Sequence, residues 1–281
     1  MSTRGYSLPG AWEVAVDGWL QWLTSCGCSA ETIRVRRAVV RSIARRGQTD
    51  HPNQVTTEQL IAISAAHKWS NDHRRSVRTA LVQFFDWTTE HSVTSSNPAT
   101  GLAKVPESPP RPRPVTDRIW LELLAAAPPR QRLMARLAAE AGLRRAEVAR
   151  VHHDDLIEDL AGWSLIVHGK GNKQRTVPIT DGLAEAIRGY YEYGQARGVH
   201  LFAGQIDGHI SPNYVGVLIS RLMPEGWSMH KLRHRYASRG YAGTKDIRAV
   251  QEALGHASVA TTQRYTAVSN REVRAVTEAA A

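Results

Sequence analysis

Cysteine is almost missing from this chain, with two among 281 residues. Cys26 and Cys28 lie two positions apart, poor geometry for a disulfide, and two cysteines build no covalent framework. A stapled secreted domain is therefore excluded, and C-x-C reads as small side chains near a helix end in a reducing compartment. No apolar run approaches the roughly 18 residues that span a bilayer. The first ten residues, MSTRGYSLPG, hold no signal-peptide core. The expected location is the cytosol. Acidic residues are also in short supply, 26 against 36 Lys and Arg, for a formal net charge of +10. That excess suits a polyanionic partner, and nucleic acid is the commonest one. What is plentiful is apolar residues, 42% of the chain, enough for the cores of two ordinary domains.

Residues 11–24 place Trp12, Ala15, Val16, Trp19, Leu20 and Leu23 on one helical face. A second helix is expected over 29–46, with Ser29 as N-cap and Gly47 just past its end. On its wheel Val39, Val40 and Ile43 share a side. Arg34, Arg41 and Arg45 fall almost opposite, with Arg37 nearby. Such a stripe can follow a phosphate backbone, or it can be a solvated face. Arg36 falls on the apolar side, where the pattern gives it no role. Thr56 to Gln59 reads as a capping box ahead of Leu60, Ile61 and Ile63. A fourth helix over 71–90 turns Val77, Leu81, Phe84, Phe85 and Thr88 inward and carries Arg74, Arg75 and Arg78 on its early turns.

These four helices make a first domain over residues 1–100, closing near Asn97 and Pro98. Residues 101–116 hold five prolines and read as an extended linker, along which Lys104, Arg111 and Arg113 can track a backbone. The second domain, 117–281, opens with helices near 117–126 and 129–141. Gly142 ends the latter, with Arg144 in the turn that follows. Leu165, Ile166 and Val167 pair with the segment from Arg175 to Ile179 across a turn from Gly169 to Lys173. Helices follow near 181–196, 212–223, 230–240 and 246–254, then a short one with Tyr265. The fold class expected is mainly α with a small β-hairpin or sheet in the second domain.

Six polar residues of the second domain sit in contexts that each place a side chain: Arg144 in AGLRRAEV, Lys170 in HGKGNKQR, His230 and Arg233 in HKLRHRYAS, His256 and Tyr265 in LGHASVATTQRYT. Displacement at phosphorus builds charge on its equatorial oxygens, and fixed cationic donors lower that barrier. Arginine suits the task because its planar fork binds two oxygens and stays charged. A tyrosine can hold the broken strand covalently. The phosphotyrosine is about as energetic as the diester, so resealing needs no ATP. A lone tyrosine would read as a core side chain, and Arg144 alone as one end of a surface ion pair; the weight rests on the set.

His230, Arg233 and His234 stand at i, i+3 and i+4, where at least two share a helix face. Carboxylates or cysteines that would complete a metal site are missing from that series, so an anion site fits better. Lys170 occupies a Gly-Lys-Gly turn without the G-x-x-x-x-G-K-[ST] spacing, which disfavours nucleotide binding.

In order and context these segments resemble the tyrosine recombinases, or phage integrases. The likeness runs from about residue 10 to the C-terminus and is sharpest in G-L-R-x-x-E, H-x-L-R-H and L-G-H with a tyrosine nine residues on. NPATGL at 97–102 also looks like the family. The resemblance implies that Tyr265 attacks the scissile phosphate, leaving a 3′-phosphotyrosine and a free 5′-hydroxyl. Arg144, Arg233 and His256 would stabilise the pentacoordinate phosphorus. Lys170 would protonate the leaving 5′-oxygen, His230 would assist proton transfer from the tyrosine, and Glu147 and His234 would support these groups from behind. It also implies a helical core-binding first domain, a two-domain C-shaped clamp on duplex DNA, a reaction that needs no metal and no other cofactor, and a homotetramer that exchanges strands through a Holliday junction.

A separate N-terminal arm-binding domain has no room ahead of residue 10, so a minimal form acting on core sites is expected, an integrase of a phage or mobile element with an accessory directionality factor. The other readings are an Xer-like dimer resolvase, a catalytically silent DNA-binding regulator and a type IB topoisomerase. A regulator should have lost some of the six positions. In the short tail, residues 266–281, Val273 and Val276 are expected to dock on a neighbouring protomer.

Overall fold

The computed structural model describes residues 7–107, 113–160, 162–169, 173–192 and 198–255. Arg111, Lys170, His256, Tyr265, Val273 and Val276 lie outside the described residues. The chain divides into two compact units, Met1–Pro109 and Pro110–Ala281.

The first unit contains α1 (Gly10–Ser25), α2 (Ala30–Gly47), α3 (Thr57–Ala65) and α4 (Asn71–Glu90). The apolar periodicity of α1 survives folding: Trp12, Ala15, Val16, Trp19 and Leu23 are all buried. Trp12 stacks on Phe84, with centroids 5.8 Å apart, and Trp19 meets the same ring edge-on at 5.2 Å. Truncating Phe84 to alanine would cost about 3–5 kcal/mol, since both tryptophans lose their partner. Ser29 caps α2 by accepting the Thr32 N–H, and Thr56 and Gln59 form the expected capping box of α3.

Two details differ from expectation. Gly47 stays inside α2 and Gln48 takes the left-handed turn, at φ 49°. That conformation costs a non-glycine residue about 1–2 kcal/mol. Ile61 is 49% exposed, because α3 buries only its Leu60 side fully.

NPATGL has a packing explanation. Asn97 accepts the Ala99 N–H and donates to the Val82 carbonyl at 3.0 Å and to Asp86 at 2.7 Å. Thr57 Oγ1 donates to the Pro98 carbonyl at 2.8 Å. A Cβ on Gly101 would lie 2.5 Å from Thr57 Cγ2, and a β-branched side chain has little freedom to yield. The motif therefore pins the end of this unit to α3 and α4.

The second unit contains α5 (Asp117–Ala126), α6 (Pro129–Glu140), α7 (Arg145–Ala149), β1 (Leu156–Asp159), β2 (Gly162–His168), β3 (Gln174–Pro178), α8 (Asp181–Glu192), β4 (Ala203–Ile206), α9 (Pro212–Ser220), α10 (Met229–Thr244) and α11 (Ile247–Leu254). Leu133, Met134, Ala135, Leu137, Ala138 and Ala139 of α6 are all buried, so this helix is apolar nearly all round and forms the centre of the unit. The β2–β3 register matches expectation, with Leu165 opposite Val177 and Val167 opposite Arg175. β1, β4 and α7 were not foreseen. β1 adds an antiparallel third strand, giving the order β1-β2-β3.

The structure attaches the linker end earlier than residue 117. Val115 is buried in the second core and its carbonyl accepts from Arg235 at 3.1 Å. Thr116 then caps α5. Among the described residues no helix is long and apolar enough to cross a membrane.

Candidate active site

Three helix ends and one strand meet beside α6. Gly142 leaves α6 at φ 67°, a conformation glycine adopts without penalty. Any Cβ there would sit 2.6 Å from Tyr236 Cδ1. Arg144 follows as the N-cap residue of α7, and Glu147 is on that helix's first turn. The Glu147 carboxylate accepts the Arg144 backbone N–H at 2.7 Å and its guanidinium at 2.7 Å. From β3, Arg175 grips the same carboxylate with both terminal nitrogens, at 2.8 and 3.0 Å. Arg233, on α10 and almost wholly buried, stands 3.8 Å from it.

The C-terminus of α11 closes the arrangement. Its last carbonyls each receive a different arginine. Ala253 accepts Nε of Arg175 at 3.2 Å, Leu254 accepts Arg233 at 2.6 Å, and Gly255 accepts Arg144 at 3.3 Å. Arg233 also donates to the Gly142 carbonyl. A helix C-terminus carries about half a negative charge, which favours cations placed there. Gly255 is left-handed at φ 62°, and a Cβ on it would lie 2.8 Å from Arg175 Cδ. Among the described residues three guanidinium groups thus face one carboxylate and one helix end, which leaves more than one positive charge.

That excess borders a cleft of about 800 Å³ lined by Arg144, Arg145, Arg221, His230 and Arg233 among others. The Arg144 side chain is 42% exposed and reaches solvent there, whereas Glu147 is 4% exposed. Burial alone would raise the Glu147 pKa. The Arg175 hydrogen bonds, the Arg144 N–H and the two cations override it and hold the carboxyl at about 2. On α10, partial burial and the charges of Arg233, Arg144 and Arg145 push His230 below the usual imidazole range. His234, edge-on to His230 at 4.7 Å, is pushed down to about 4 by burial and by His230, Lys231 and Arg233. Both rings are therefore neutral at pH 7.

Of the eight site residues expected in this unit, Arg144, Glu147, His230, Arg233 and His234 are brought together. Lys170, His256 and Tyr265 lie outside the described residues. Arg175 was missed. Its only signal was an arginine on the inward register of a strand, two residues before buried Val177.

The arginines expected to track DNA have varied surroundings. Arg37 and Arg45 are exposed on α2. Arg34 pairs with Glu31 at 2.6 Å on the surface. Arg41 is half-buried against Glu13 at 2.7 Å and ties α1 to α2. Arg36 reaches Cys28 Sγ at 3.7 Å. Arg74 points inward and donates to the carbonyls of Ser64, in the last turn of α3, and of His67 and Trp69 beyond it, and Arg78 donates to the Leu102 carbonyl at 3.0 Å. Arg113 lies over Trp227, 5.9 Å from the ring centre. His152, His153 and Asp154 bring ligand atoms within 4.8 Å of one another. His152 Nδ1 already accepts the Asp154 N–H, and none of the three lines the cleft.

The phage integrase family model matches residues 116–272. Tyrosine recombinase XerC of Rhodospirillum centenum is 31% identical over 95% of this chain and 86% of its own length. Tyrosine recombinase XerC of a Methylobacterium species is 32% identical over 97% and 95%. Among solved structures, a lambda integrase dimer bound to a COC′ core site aligns with a TM-score of 0.72 at 18% identity, covering 92% of this chain and 96% of that one. A XerH site-specific recombinase on a palindromic difH substrate, after cleavage, aligns at 0.70 and 18%, covering 90% and 80%.

Proposed function

The chain belongs to the phage integrase family, the tyrosine recombinases, and on that premise we propose that it breaks and rejoins duplex DNA at specific sites with the residues gathered around the α7–α9–α10 cleft. Tyr265 Oη attacks phosphorus and forms the phosphotyrosine bond as the bond to the 5′-oxygen breaks. His230, neutral and beside the arginines, takes up the tyrosine proton. Lys170 gives a proton to the leaving 5′-oxygen. Arg144, Arg233 and His256 neutralise charge on the equatorial oxygens. Glu147 and His234 hold the arginine and histidine that touch the phosphate. Attack by the 5′-hydroxyl of a partner strand reverses each step, so the cycle consumes neither ATP nor metal.

The observation that carries this reading is the under-neutralised cluster itself: Arg144, Arg233 and His230 border one cleft, with a residual positive charge that an entering phosphodiester would offset. The partner is duplex DNA, and the acting species is a homotetramer on two core sites. We read the biological role as integration or excision of a phage or mobile element, with an accessory factor setting direction. The XerC relatives favour a second reading, resolution of chromosome or plasmid dimers. Recombination between two directly repeated copies of a chromosomal site, against recombination of an attachment-site pair, separates the two.

Covalent trapping tests the chemistry. Protein and its Tyr265→Phe variant are incubated with a nicked suicide duplex carrying a core site, then resolved on a denaturing gel. A protease-sensitive slow band with wild type alone is expected. No adduct from wild type, on DNA it binds, would overturn the proposal.

A further inference from the structure

We infer that Arg175 is a positioning residue for this reaction, fixing at once the Glu147 carboxylate and the end of α11 so that the groups on the phosphate are in place before DNA arrives. The inference rests on the recombinase reading above. Arg175 does not line the cleft, and its side chain is 16% exposed. All three of its nitrogen centres are engaged inward: two on Glu147 and one on the Ala253 carbonyl. Its Cδ and Nε pack on Gly255 so closely that no Cβ fits there. One side chain therefore joins three segments far apart in sequence: α7, β3 and the end of α11.

The consequence follows from what those segments carry. Glu147 sets the Arg144 guanidinium and also takes the Arg144 N–H. Gly255 immediately precedes His256 in the sequence, and β3 begins at Gln174, shortly after Lys170. A fork geometry is needed, since two parallel bonds to a carboxylate plus a third from Nε fix orientation as well as charge. Lysine would keep the charge and lose the fork. Methionine would keep most of the volume and lose both.

The test uses the full chain with Arg175→Lys, Arg175→Met, Glu147→Gln and the double variant Glu147→Gln/Arg175→Met, each checked for folding by circular dichroism. Amide hydrogen exchange at residues 253–255 of the free protein reads the hold on α11. Single-turnover adduct formation on the suicide duplex and DNA affinity are measured separately. Exchange at 253–255 should quicken in both Arg175 variants. Cleavage should fall about 10- to 100-fold with affinity within about threefold, a smaller loss than the roughly 100- to 1000-fold of a donor on the reacting phosphate. The double variant should lose less than the product of the two single losses, because the two side chains share one contact.

In Arg175→Met, loss of cleavage on the acid side should also move to higher pH. Unchanged exchange and cleavage in the Lys variant would overturn the inference. So would affinity and melting temperature falling while cleavage per bound complex stays at the wild-type rate. If wild type forms no adduct the recombinase reading fails, and exchange at 253–255 alone then decides whether Arg175 holds α11.

Discussion

Glu147→Gln should flatten the acid limb of this protein's stability, by an amount the site fixes. The carboxyl drops from an ordinary 4.5 to about 2 in the folded chain. At about 1.4 kcal/mol per tenfold change in proton affinity, ionised Glu147 contributes about 3 kcal/mol relative to its protonated form. Because the folded pKa is the lower one, the contribution is fully present above pH 4.5 and is lost as pH falls towards 2. By pH 3 about 2 kcal/mol of it should be gone. Glutamine has the same shape and no charge, so it leaves three guanidinium groups facing each other with only carbonyls between them. Breaking such a buried pairing costs about 3–5 kcal/mol near neutrality. The measurement is urea unfolding of both proteins at several pH values from 7 to 3, followed through the second unit's transition. The wild-type advantage should be several kcal/mol at pH 7 and shrink by about 2 kcal/mol at pH 3. Parallel curves would refute the reasoning, since they would mean that Glu147 carries no protonation linked to folding.

Gly142→Ala should lower the melting temperature of the second unit markedly, because it combines a left-handed backbone with a Cβ 2.6 Å from Tyr236; scanning calorimetry checks it. Any loss of adduct formation to His230 protonation should set in at a lower pH than for an ordinary imidazole, because partial burial and the charges of Arg233, Arg144 and Arg145 lower its pKa; a pH–rate profile of wild type tests this. Replacing Arg37 and Arg45 together by alanine should weaken DNA binding and make its salt slope less steep by up to about 2, leaving the melting temperature unchanged. Arg74→Ala should do the reverse, destabilising the first unit by about 1–3 kcal/mol as the carbonyls beyond α3 lose their donor.

Much of this was legible because it is local. Trp12, Val16, Trp19 and Leu23 recur at helical spacing, and Ser29 and Thr56 cap the helices they precede. Leu165 to Val167 face a complementary run within a dozen residues. What was not legible depends on which distant groups the fold juxtaposes. Arg34, Arg41 and Arg74 look alike as entries on a helical wheel. Only the folded chain shows one on the surface, one clamped to Glu13 on another helix, and one turned onto carbonyls at and beyond the end of α3. β1 escaped notice because Leu156-Ile157-Glu158-Asp159 does not alternate. Arg175 escaped because its partners lie 28 and 78 residues away.

The same juxtaposition explains why the recognisable motifs pair a glycine with a charged residue. In AGLR the glycine turns left-handed, and its carbonyl is then offered to Arg233 from another motif. In LGH the glycine again turns left-handed, its carbonyl takes Arg144, and its bare Cα leaves room for Arg175. Like charges at such separations would repel strongly in a dry interior. Interposing helix-end carbonyls and a single deeply held carboxylate lets three arginines stand together while retaining net positive charge. A second carboxylate would satisfy the cluster and remove its appetite for an anion. With none, the arginines would have no fixed geometry. One carboxylate, held by a fork from behind and by an arginine at the cleft, is the composition that gives a rigid site and leaves it unneutralised.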